Sequence, residues 1–257
     1  MGLKSHFNIF VGKIGVLGMI ANLILKDLTI NNEFNRVNLL EKIEVAEGCN
    51  IRRLILAPAY YDEESKTSIM EVEEIVQDLN AYLKEKNSYL ALYSANLIRD
   101  NYDSVKDFLN KRIGTINRGN YALLNSEESS TVDELLELVF ELSLVEVIPI
   151  IVGPEKNEEI KNDYKKIDRL INKGCLFQLD VESLNGAYGK STQKACKKLI
   201  KKNIYDFIGF EEEIKSELID KEIEKISKKG IYIFNTEGLI RRKSIEKKKK
   251  KIGSWIK

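Results

Sequence analysis

Glu211, Glu212 and Glu213 form an unbroken acidic triplet, and together with Glu155 they are the side chains that most directly suggest chemistry. Carboxylate oxygens in that number suit a hard cation such as Mg2+ or Ca2+. The same triplet also fits the start of a helix, where the dipole favours negative charge, and both readings stay open at this stage. Softer chemistry has little to work with. The chain has one histidine, His6, and three isolated cysteines, Cys49, Cys175 and Cys196, with no CxxC pair. The cysteines read as reduced, buried thiols. At the ends of the strands assigned below, a zinc, iron or manganese site built on imidazole or thiolate is excluded, and so is a nucleophile with a histidine base. A glycine-rich run, Gly186 to Ser191 (GAYGKS), lacks the spacing of a phosphate-binding loop and reads as a turn that starts a helix.

Position decides which polar residues can act together, so the elements come next. The length, 257 residues, allows one large α/β domain or two small ones, and 43% hydrophobic residues suffice for a core. With 41 basic and 40 acidic residues, there is no basic excess of the kind nucleic-acid binding requires. The pattern is clearest from Phe177 to Phe210. Phe177, Leu179 and Val181 alternate with polar residues as in a strand, Asn185-Gly186 and Gly189 break the chain, and Ala195, Cys196, Leu199 and Ile200 recur at helical spacing. Asn203 stands where a left-handed helix end is expected, and Ile204 to Gly209 is a second strand. That βαβ unit repeats. Residues 7–25 are strongly apolar and near the ~20 residues of a membrane span, but Lys13 and three glycines interrupt them. They read as a buried strand with a leading extension. No small-residue cleavage site marks a signal peptide.

A short helix, Leu39 to Ala46, and a strand, Arg53 to Ala57 halted by Pro58, follow. Ile69 to Lys86 is an amphipathic helix, Tyr89 to Tyr93 a strand, Val105 to Leu109 a helical turn and Tyr121 to Leu124 a strand. Thr131 and Glu134 form a capping box opening helix 132–144. Val145 to Val152 is an almost wholly apolar strand, as expected of a parallel strand covered on both faces, 157–173 a charged helix, 211–229 a further helix, and Ile231 to Phe234 the last strand. About seven parallel strands alternating with helices point to a TIM-like barrel, with ligands at the carboxyl ends of the strands. Those ends carry Leu23 and Leu25; Ala57, Ala59 and Tyr60; Ser94 and Asn96; Asn125, Ser126 and Glu127; Gly153, Glu155 and Lys156; Asp180 and Glu182; Glu211, Glu212 and Glu213; and Asn235 and Glu237. From these, Tyr60, Asn96, Glu155, Lys156, Glu211 and Glu213 are the candidate pocket.

QLDVESLNGAYGK, Gln178 to Lys190, resembles the run Q-I-T-S-G-S-L-x-G-x-F-G-K of the CpsB/CapC-type bacterial tyrosine phosphatases of the PHP (polymerase and histidinol phosphatase) superfamily. NIYDFIGF resembles the strand before that family's final metal motif, and Asn235-Thr-Glu-Gly-Leu-Ile240 its closing N-x-E-x-L-L. The resemblance covers about residues 19–257. It implies a distorted PHP-type (β/α)7 barrel over 19–240, with an N-terminal extension, 1–18, and a basic tail, 241–257. It also implies manganese-dependent dephosphorylation of the tyrosine kinases that control capsule and exopolysaccharide export.

The departures fall on the chemistry. Where the family has H-x-H, T-P-H-H, G-x-E, H-P-E-R and S-D-A-H, this chain has Leu23 and Leu25, Ala57-Pro58-Ala59-Tyr60, Ser94-Ala95-Asn96, Gly153-Pro154-Glu155-Lys156, and Phe210-Glu211-Glu212-Glu213. Leu23, Leu25, Ala59, Asn96, Gly153, Glu211 and Glu213 therefore stand at degenerate ligand positions, and only Glu211 replaces a carboxylate with a carboxylate. Lys156 keeps the charge of the family's arginine but not its bidentate fork. No cofactor is expected; carboxylates alone would hold Mg2+ weakly. The reading is a non-catalytic relative that binds a protein partner, a membrane-anchored tyrosine kinase. The alternatives are a phosphatase with a carboxylate-based metal site and a small-ligand module. Lys247, Lys248, Lys249, Lys250, Lys251 and Trp255 of the tail suit an anionic membrane surface. The expected location is the cytoplasm, at the inner face of the membrane.

Overall fold

Each of the seven strands of the ring has one face for helices and one for a barrel interior, and the hydrogen-bond ladders close that interior. In the computed structural model, residues 19–25, 29–30, 33–60, 67–99, 103–126, 131–218 and 240 are described. In chain order the elements are β1 (Met19–Leu25), β2 (Thr29–Ile30), β3 (Glu33–Phe34), α1 (Arg36–Gly48), β4 (Ile51–Tyr60), α2 (Ile69–Glu85), β5 (Ala91–Ser94), β6 (Leu97–Ile98), α3 (Asp103–Leu109), a 3-10 turn (Ile116–Arg118), β7 (Tyr121–Asn125), α4 (Val132–Leu144), β8 (Ile148–Val152), α5 (Glu158–Asn162), α6 (Lys165–Asn172), β9 (Leu176–Asp180), α7 (Val181–Asn185), α8 (Gly189–Lys201), β10 (Phe207–Glu211) and α9 (Ser216–Leu218). Parallel pairing runs β1–β4–β6–β7–β8–β9–β10 and back to β1, a closed seven-strand barrel; β5 pairs with the lower part of β4. The leading extension 1–18, the strand expected at Ile231 to Phe234, the tail 241–257, and Glu127, Asn235 and Glu237 lie outside the described residues.

Side-chain alternation sorts the core into two clusters. Leu23, Leu54, Leu56, Leu124, Ile151, Phe177, Leu179 and Phe210 pack outward against the helices. Ile24, Ile55, Leu97, Tyr121, Leu123, Ile150, Leu176 and Phe207 fill the barrel. Capping boxes start two of the covering helices: Ser68 with Glu71 at α2, and Thr131 with Glu134 at α4. The first of these was not read from the sequence.

Several boundaries differ from the sequence reading, each for a local reason. Pro58 does not stop its strand. β4 leaves β5 at Leu56–Ser94 and meets β6 at Ala59–Leu97, so the proline, which has no N–H to donate, sits in the gap between two ladders. The expected strand from Val145 starts at Ile148, because Val145 caps α4 and Glu146 is left-handed at φ 59°. The helix expected over 157–173 splits. Asn157 caps α5, Asp163 is extended, and its carboxylate accepts the Lys165 N–H that opens α6. Glu211 is no helix start: it ends β10, Glu212 turns left-handed at φ 59°, and α9 begins only at Ser216.

Candidate functional site

The mouth of the barrel is organised by the turn after β8. Gly153 donates its N–H to the Gln178 carbonyl at 3.0 Å, and the Lys156 N–H closes a turn onto the Gly153 carbonyl at 2.8 Å, with Pro154 pre-set between them. The turn aims Lys156 across the mouth. Its Nζ lies 2.5 Å from Asp180 Oδ2, at the end of β9, and donates at 2.7 Å to Glu211 Oε2, at the end of β10. Asp180 uses its other oxygen to accept the Glu182 N–H and cap α7. Tyr188 donates its hydroxyl to Glu211 Oε2 at 2.7 Å, and its ring centroid lies 3.9 Å from Lys156 Nζ, within cation–π reach. Gly186 and Gly189, both left-handed, at φ 84° and 87°, carry Tyr188 into this position. The GAYGKS run is thus a turn and helix start that delivers an aromatic ring.

Burial opposes a charge on Lys156, but Asp180 and Glu211 outweigh it and raise its pKa, so the ammonium persists. For Asp180, burial dominates and raises the pKa, with Lys156 and the Glu182 amide pulling the other way. What remains open at the mouth is about 30 Å³, lined by Ile24, Asn125, Lys156, Gln178, Asp180 and Glu211 among others. That is the share of one water molecule. A wider acidic depression of about 270 Å³ lies beside it, lined by Glu182, Tyr188, Glu211, Glu212, Glu213 and Lys215. The more voluminous groove, about 800 Å³ between α2 and α3, is on the outer wall and holds none of the mouth residues.

The sequence-derived positions scatter. Lys156 and Glu211 meet. Glu155 is fully buried just beneath: its oxygens accept the Asp180 N–H at 3.1 Å and the Tyr205 hydroxyl at 2.8 Å. Glu213 is exposed and borders only the outer depression. Asn96 is fully buried as a strut, donating to the Thr67 carbonyl and accepting the Gly114 N–H, both at 3.0 Å. Ala59 is buried and offers no donor atom. Tyr60 faces outward into the helix-side cluster, beside Asp107 and Arg112. Leu23 and Leu25 also face the helices; the residue between them, Ile24, reaches the mouth. Asp180, Gln178, Asn125 and Tyr188 were missed as pocket residues. The alternation Gln178–Leu179–Asp180 at the end of a strand was the available signal for the first two.

Burial, and then the Asp180 charge, lift Glu155 to a pKa of about 7. The folded value lies above the unfolded one, so its contribution is whole below about pH 4.5, declines as pH rises to about 7, and is lost above. A shift of this size corresponds to roughly 3 kcal/mol at most. Glu155→Gln keeps the shape and removes the titration. Urea unfolding from pH 4.5 to 8 should show a flatter profile for the variant, with higher stability than the parent at pH 8. Equal slopes would mean that Glu155 does not titrate in this range.

Comparison with known proteins bears on the same barrel. Residues 33–233 match the family described as capsular polysaccharide synthesis, CpsB/CapC. The chain belongs to the CpsB/CapC family. It is 28% identical over 170 residues to the Staphylococcus aureus putative tyrosine-protein phosphatase CapC, covering 66% of this chain and 67% of that one. It is 25% identical over 172 residues to the Bacillus subtilis tyrosine-protein phosphatase YwqE, covering 66% and 68%. Among solved structures, the metal-dependent tyrosine phosphatases YwqE of Bacillus subtilis and CpsB of Streptococcus pneumoniae share the fold, with a TM-score of 0.73 and 22% identity over 89% of this chain and 96% of that one. Histidinol phosphate phosphatase of Lactococcus lactis shares it more distantly, with a TM-score of 0.50 and 11% identity over 84% of this chain and 95% of that one. The barrel is therefore of the PHP type.

The described residues of this mouth do not fit a metal of the kind those relatives depend on. Among the described residues no three His, Cys, Asp or Glu side chains converge as ligands. The two carboxylates that do converge hold an ammonium.

Proposed function

We propose that this chain is a non-catalytic member of its family that binds a protein partner, the tyrosine kinase of a capsule or exopolysaccharide export system, through its cytoplasmic tyrosine-bearing tail. The reading is carried by one observation: Lys156 is committed to Asp180 and Glu211 at the barrel mouth, and leaves about 30 Å³ open there. That volume alone does not seat an aryl phosphate, and the depression of about 270 Å³ beside it is lined mainly by carboxylates. Among the described residues around the mouth, Asp180, Glu182, Glu211, Glu212 and Glu213 outnumber Lys42, Lys156 and Lys215, which disfavours a phosphoryl dianion. Recognition of the tail would then depend on its tyrosines and not on phosphate.

Fluorescence anisotropy with a labelled tail peptide, phosphorylated and unphosphorylated, tests this in EDTA. Saturable binding is expected without metal, with the unphosphorylated peptide held at least as tightly. Absence of saturable binding by either form would overturn the kinase-tail reading.

A further inference from the structure

We infer that Lys156 is a built-in cation: its ammonium fills a cation-sized position among the described residues of the barrel mouth and so keeps a divalent ion out. The inference rests on the non-catalytic reading and adds a mechanism by which metal is refused.

The position is framed for positive charge. Asp180 Oδ2 at 2.5 Å and Glu211 Oε2 at 2.7 Å contact Nζ, and the Tyr188 ring closes a third side at 3.9 Å. Asn125 and Gln178 line the same space. Carboxylate and carbonyl oxygens are the donors a hard divalent cation would take. With Nζ in place, a second cation would meet like charge within a few ångströms.

Gly153 shapes the turn that carries the lysine. A Cβ at this position would lie 3.3 Å from Lys156 Cδ and 3.4 Å from Cε, and the backbone is left-handed at φ 61°. A side chain here would press on the lysine stem, and an L-residue would strain the turn.

The test is Mn2+ binding by the full chain, followed by calorimetry and by thermal shift. The parent should bind no Mn2+ at the mouth. Lys156→Ala removes the ammonium and leaves the oxygens, and should bind one Mn2+ with an affinity higher by about tenfold or more. Lys156→Ala/Glu211→Gln should lose that gain. Parent and Lys156→Ala binding Mn2+ alike would overturn the inference, and so would no binding by either. The parent supplies a readout that does not depend on the variant folding. Its Lys156 ammonium should give a protected 1H–15N signal; a freely exchanging ammonium would overturn the inference too. If Lys156→Ala gains no Mn2+ while the parent remains inactive on phosphotyrosine, the built-in cation fails and the non-catalytic reading stands. Mn2+-dependent turnover by the parent would sink both.

Discussion

Lys156→Met should destabilise the barrel by about 3 kcal/mol near pH 8, the usual penalty for removing one partner of a buried ion pair. Methionine preserves most of the stem volume, so the loss reports charge and not a cavity. Asp180 is 4% exposed and would be left without its cation, as would the half-buried Glu211. The loss should shrink as the pH falls toward 5. A carboxylate stranded by the substitution has its folded pKa above its unfolded one, so protonation favours the folded variant and stability declines as pH rises through that value. Chemical unfolding of parent and variant at pH 5 and pH 8 checks both the size and the sign. Equal stability at pH 8 would mean that the Lys156 contacts are not maintained in solution.

How much was legible without coordinates depended on whether the signal was local. Alternating strands, amphipathic helices, the Thr131 capping box and the left-handed Asn203 are written in neighbouring residues, and most are present among the described residues, although the helix read over 157–173 splits, none starts at Glu211 and the strand read from Ile204 begins at Phe207. Those patterns and the Gln178 to Lys190 run were enough for the barrel and the family. The site was less legible, because inward and outward positions on β1 differ by one residue. Placing Leu23 and Leu25 at a ligand motif put two outward residues where Ile24 belongs. Tyr60 failed by the same parity, at the end of a strand that continued past Pro58. Asn96 stood at the right strand end, but its amide is used up bridging Thr67 and Gly114, a long-range bond that no periodicity announces. Lys156 was visible as a surviving charge. Its commitment to Asp180 and Glu211 could be seen only once β8, β9 and β10 were side by side.

The most direct measurement is hydrolysis of a phosphotyrosine peptide by the full chain, with and without Mn2+, alongside a metal-dependent relative such as YwqE. Metal-assisted phosphoryl transfer needs a bound water of lowered pKa and a positive clamp on the phosphoryl oxygens. Here the cation at the mouth is an ammonium already shared by two carboxylates, and the open space beside it is about 30 Å³. Orders of magnitude in rate should be missing, and added Mn2+ should not restore them. The account predicts phosphate release at the solvent background in both conditions, with the relative turning over normally. Mn2+-stimulated release by this chain, abolished by Glu211→Ala, would contradict it.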